Sequence, residues 1–99
     1  MSKKQKRLER MRRNKRNVSY GDFIGVLGEY GYTVRSGKGS HRGATVNVSG
    51  KVWTLTFVQA HEGQFMHHKD VDRLLKQIGE IEAWQAELEQ EIEEEGDDE

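Results

Sequence analysis

Two runs of alternating side chains, Ala44–Val48 and Val52–Val58, flank Ser49-Gly50-Lys51, and this pair constrains the fold more than any other feature. A period of two puts Val46 and Val48 on one face of a strand, with Thr45 and Asn47 on the other. In the second run Trp53, Leu55 and Phe57 share one side, and Val52, Thr54, Thr56 and Val58 share the opposite one. Ser-Gly-Lys between such runs is turn chemistry, so the segment reads as an antiparallel hairpin. The Trp53/Leu55/Phe57 stripe has two uses open to it: a platform for unstacked bases or the face that meets the core. Its bulk favours the core.

The flanking segments supply the partners for that face. Tyr32-Thr33-Val34-Arg35 is a short β-prone run and gives a third strand. Before it, Ser19 is a good N-cap with Asp22 three residues on, and Tyr20, Phe23, Ile24 and Leu27 form one apolar stripe at helical spacing. Gly31 stops this helix, while Gly25 and Gly28 within it suggest close approach of the sheet. After the hairpin, Val71, Leu74, Leu75, Ile78 and Ile81 hold a 3.6-residue period, with Asp70 and Asp72 near the helix start. The order is α-β-β-β-α, an α+β class. The sequence predicts a three-stranded antiparallel sheet with two helices on one face. That architecture resembles a double-stranded-RNA-binding domain, a likeness of fold that does not by itself set function.

Charge divides the chain into three parts. Residues 1–16 contain nine Lys/Arg against the single acid Glu9, and residues 80–99 contain eleven Asp/Glu and no Lys or Arg. Few apolar side chains accompany either block. Residues 1–17 therefore read as a basic disordered arm, residues 18–82 as the folded domain, and residues 83–99 as an acidic helical extension with disorder from about residue 93. The arm is expected to meet nucleic acid or an acidic partner, or to pair loosely with the acidic tail. The chain has no cysteine, which excludes disulfides and thiolate metal sites. No apolar run approaches the ~20 residues of a membrane span. The basic start has no apolar stretch behind it of the secretory type, so a cytoplasmic protein is expected.

The segment Arg35-Ser36-Gly37-Lys38-Gly39-Ser40-His41-Arg42-Gly43, between the first two strands, concentrates the chemistry. Its glycines let backbone N–H groups approach an anion, and Arg35, Lys38 and Arg42 can supply phosphate charge. His41 is the side chain there that can exchange a proton near neutral pH. Phosphodiester cleavage needs proton transfer at the attacking and leaving oxygens and cations on the phosphoryl oxygens. The segment is not a P-loop, because the G-x-x-x-x-G-K-[ST] spacing is absent. On residues alone it reads either as a phosphate site or as a solvated turn. His61, His67 and His68 follow in the next loop. A metal site among them would lack carboxylate or thiolate ligands at regular spacing, so no metal is assigned. His61 is instead a candidate second proton-transfer group.

The helix, Gly31-Tyr32, a short strand, Gly39-Ser40-His41, two more strands and a final Leu-rich helix together resemble the HicA family of toxin mRNA interferases. The resemblance covers roughly Ser19 to Gly79, with Gly39-Ser40-His41 as its distinctive part. Asp70-Val71-Asp72-Arg73-Leu74-Leu75-Lys76-Gln77-Ile78 is similar to the family's last helix, and Val58-Gln59-Ala60-His61 stands where many members have Val-Pro-x-His. The resemblance implies a dsRNA-binding-like fold and an endoribonuclease cleaving mRNA with His41 as its catalytic histidine. It also implies neutralisation by a HicB-like antitoxin protein. Ser40 would orient His41 or bind phosphate, and Arg35, Lys38, Gly39 and Arg42 would bind RNA. No cofactor is called for. The alternative is a non-catalytic RNA-binding module of the same fold.

Overall fold

The structure, a computed structural model, describes residues 2–96. Its elements are α1 (Lys3–Arg13), α2 (Tyr20–Glu29), β1 (Thr33–Ser36), β2 (His41–Val48), β3 (Lys51–Val58) and α3 (His68–Gly96). The fold is α+β, with one antiparallel sheet in the order β1-β2-β3. Ala44 lies opposite Leu55 and Val46 opposite Trp53. The alternation resolves accordingly: Ala44, Val46, Leu55 and Phe57 are buried, whereas Val52, Thr54, Thr56 and Val58 are exposed. Ser49 and Gly50, with φ of 49° and 89°, close the hairpin. Left-handed backbone at both positions matches the twist of the flanking strands.

The buried sheet face meets Phe23, Val26 and Leu27 of α2 and Val71, Leu74 and Ile78 of α3 in one core. The Phe23 and Phe57 rings pack with centroids 4.8 Å apart, so the aromatic stripe of β3 belongs to the core. Trp53 at its end is half-buried and takes Trp84 of α3 edge-on at 6.4 Å. Ser19 caps α2, its Oγ accepting from the Asp22 N–H at 3.1 Å.

The basic N-terminal segment departs from the expected disordered arm. Lys3–Arg13 is a helix, opened by a capping box between Ser2 and Gln5. Leu8 and Met11, one turn apart, are buried in the common core. These two side chains are enough to dock one face, while the cations stay on the outside with water. Arg7 reaches Glu29 at 3.4 Å and crosses α2 at Gly25, where a Cβ would collide with its guanidinium. Gly25 thus makes room for an arginine of α1 and not for the sheet. Lys15 ties the following linker to the first turn of α3, 2.9 Å from Asp72.

Helix α3 also covers the β3 edge. The Val58 N–H donates to Asp70 Oδ2 at 3.2 Å, Arg73 Nη1 donates to Thr56 O at 3.2 Å, and Gln77 Nε2 donates to Thr54 O at 2.7 Å. Residues 70, 73 and 77 lie on one helical face, and each meets an outward-pointing backbone group of the edge strand. An edge so occupied is closed to pairing with another strand. The Tyr32 hydroxyl donates to Gln77 Oε1 at 2.6 Å, and burial pushes its pKa up to about 12. The helix continues past the domain, its backbone reaching Gly96; the remainder of the expected disordered tail, residues 97–99, lies outside the described residues. No helix among the described residues is long and apolar enough to cross a membrane.

Candidate active site

The sheet has one face covered by helices and one open, and His41 and Arg35 sit at one end of the open face. β2 begins at His41, three residues earlier than the alternation predicts. His-Arg-Gly is not β-prone by composition. Pairing with β3 enforces the extension, since His41 lies opposite Val58, Arg42 opposite Phe57 and Gly43 opposite Thr56. The connection from β1 therefore shrinks to residues 37–40.

This shift separates side chains that the sequence groups together. Successive strand residues point to opposite faces. His41 shares the open face with Thr56 and with Arg35, which pairs across Gly43. Gly43 contributes no side chain to this row. The result is a shallow depression of about 350 Å³ lined by Arg35, His41, Arg42, Gly43 and Thr56, with Ser36 at the end of β1 and Gly37 of the turn. A Cβ added at Gly43 would meet nothing closer than Leu55 O at 4.0 Å. The glycine is thus not required by packing, and its effect is to leave the floor of the depression open.

Arg42 is turned to structural use. Its Nη1 donates to Gly39 O and to His41 O, both at 2.8 Å, and its Nη2 donates to Gln59 Oε1 at 2.8 Å. The guanidinium braces the turn against the end of β3, and those bonds compete with any phosphate contact. Gln59 adds to the brace, its N–H donating to Ser40 O at 2.8 Å. Within the turn, Gly37 N–H donates to His41 O at 2.8 Å and His41 N–H to Lys38 O at 3.0 Å. Gly39 takes φ of 58°. Among the described residues, the N–H groups of Lys38, Gly39 and Ser40 have no protein acceptor. Consecutive free amides through a left-handed residue form an anion-binding nest.

The charged side chains at this end are accessible. Arg35 and Lys38 are exposed and form no ion pair among the described residues; Arg35 reaches only Thr45 Oγ1, at 3.4 Å. His41 is exposed, and its imidazole has no hydrogen-bond partner among the described residues. His61 does not join it. It lines a neighbouring depression with Val58, Phe65 and Lys69. His67 and His68 stack at 4.6 Å at the start of α3, where His67 Nδ1 accepts from the Lys69 N–H at 3.1 Å and so caps the helix. No cluster of three or more His, Asp or Glu side chains suited to a metal ion occurs among the described residues.

Of the residues singled out in the sequence, the structure brings His41 and Arg35 together, with Lys38 and the glycine turn beside them, and it adds two neighbours. Gly43 acts by having no side chain, and Thr56 comes from a strand read only for its hydrophobic pattern. Compared with known proteins, the chain matches no family model, no curated protein and no solved structure.

Proposed function

We propose that the chain is an endoribonuclease of the toxin type, acting on RNA at the open end of the sheet. The observation that carries this reading is the convergence of His41 and Arg35 on a depression floored by Gly43, beside a turn with free backbone amides. A phosphodiester seated there has the Arg35 guanidinium on one side and the nest of residues 38–40 on another, with Lys38 adding charge. His41 acts as general acid or base. As base it takes the proton of the attacking hydroxyl, whose oxygen bonds to phosphorus as the P–O bond to the leaving oxygen breaks, and water returns a proton to that oxygen. Ser40, at the end of the turn, positions His41. Arg42 acts by holding the turn in shape. The resemblance in sequence adds mRNA as the substrate and a HicB-like protein as the antitoxin partner.

One observation favours a second reading, a non-catalytic RNA-binding module. No second acid or base lines the depression, so proton transfer rests on His41 and solvent alone. A cleavage assay separates the two. Purified protein is incubated with single-stranded RNA in EDTA, beside His41→Ala and Lys38→Glu. The nuclease reading expects cleavage by the wild type and its loss in His41→Ala. Binding without cleavage, unchanged in His41→Ala and lost in Lys38→Glu, selects the binding module.

A further inference from the structure

A second depression, of about 500 Å³, lies at the end of β3, between the loop that follows and the first turns of α3. Val58 joins them: it stands opposite His41 in the ladder and lines the second depression. The wall there is apolar and unusually exposed, with Phe65 57% and Val58 44% accessible. Its rim carries His61, Lys69 and Arg73. The one carboxylate in the lining, Asp70, is buried and bonded to the Val58 N–H and to Arg73. An exposed aromatic ring with the Lys69 ammonium in the same lining and no free acid there suits a planar, electron-rich group attached to phosphate.

We propose that this second depression is a base-binding subsite, in which an unstacked nucleobase of single-stranded RNA lies on the Phe65 ring while its neighbouring phosphate sits at Arg35 and His41. The inference rests on the RNA-directed reading of the first depression and adds a preference for single strands. A base paired in a duplex keeps its faces stacked within the helix, whereas a single strand can present one to an aromatic side chain. Lys69, exposed and without an ion pair among the described residues, takes the phosphate on the far side of that base. The amide of Gln64, exposed and also in the lining, meets the base edge.

The test measures binding separately from cleavage. Affinity is read by fluorescence anisotropy with a labelled 2′-O-methyl oligonucleotide, which lacks the 2′-hydroxyl nucleophile. The probes are the single strand, its duplex, and a single strand with abasic positions; the proteins are wild type, Phe65→Ala and Phe65→Trp. Phe65 is exposed, so both variants are expected to fold, and circular dichroism checks that they do. Phe65→Ala should weaken the single strand about tenfold, the scale of one lost base stack. It should leave the duplex and abasic probes unchanged, and Phe65→Trp should restore binding. Equal affinity of Phe65→Ala and wild type for the single strand overturns the subsite, as does an equal loss on the abasic probe. Failure of the nuclease reading shows elsewhere, as His41→Ala cleaving like wild type.

Discussion

Gly43 offers a perturbation in which stability and function should move in opposite directions. A glycine inside a strand costs roughly 0.5–1 kcal/mol relative to alanine, because it loses more backbone freedom on folding. The Cβ of Gly43→Ala would enter open space, with Leu55 O at 4.0 Å as its nearest neighbour. The variant should therefore be more stable by about that amount, a rise in Tm of a few degrees for a domain this size. Gly43→Val adds a β-branched side chain suited to a strand and carries its methyl groups into the depression between Arg35, His41 and Thr56. A phosphate pushed off that floor loses at least one hydrogen bond to a charged group, worth about 1.5–3 kcal/mol. RNA affinity should fall roughly tenfold to a hundredfold. Thermal unfolding followed by circular dichroism and RNA binding on the same preparations make the assay. A Gly43→Val protein that melts no lower than wild type yet binds and cuts RNA normally would refute the placement of the site. A lower Tm would refute the account of Gly43 as unconstrained by packing.

Other perturbations probe the parts around it. Arg42→Ala should destabilise the domain by about 1–3 kcal/mol, because its bonds to Gly39, His41 and Gln59 hold the turn; Lys38→Ala should leave urea midpoints unchanged while weakening RNA binding. Leu8→Ala should cost about 2–5 kcal/mol, since it opens a cavity beneath a docked α1, and a cost near zero in chemical denaturation would return residues 3–13 to a disordered arm. Acid should destabilise the protein in two steps. His68 is held below its ordinary pKa by desolvation, then by Arg16 and His67, so its contribution is present above its unfolded pKa, ~6.5, and is lost as pH falls through the folded value. Asp72 is lowered chiefly by its hydrogen bond from Lys15, and its contribution is lost in turn as pH falls through the lower part of the carboxylate range. Melting temperatures across pH 8 to 3 should show both steps, with the upper one absent in His68→Gln.

What the sequence reveals and conceals follows from where each signal resides. The hairpin, α2 and α3 are legible because their apolar residues repeat at the period of the element, and each repeat forms a buried face. Helix α1 is not legible that way. Leu8 and Met11 are two apolar side chains among seven cations, and their value depends on a surface that exists only once α2 and α3 have packed. The β3 edge shows the same limit: Asp70, Arg73 and Gln77 look like ordinary polar residues of an amphipathic helix until the backbone groups they meet are in place. At the candidate site, residue types pointed to His41, Arg35 and Lys38. They could not show that β2 starts at His41, and that start decides the face of each side chain. Arg42 thereby goes to the brace of the turn, while Arg35 and His41 stay together around Gly43.

RNA should meet the open sheet face at the Gly43 depression. Nuclear magnetic resonance titration of labelled protein with an uncleavable single-stranded oligoribonucleotide tests it most directly. The largest amide shifts are expected at Arg35, at residues 37–41, at Gly43 and at Thr56, together with movement of the His41 imidazole signals, while buried core amides of α2 such as Val26 stay in place. Shifts confined to the cationic surface of α1, with His41 and Gly43 unmoved, would contradict it.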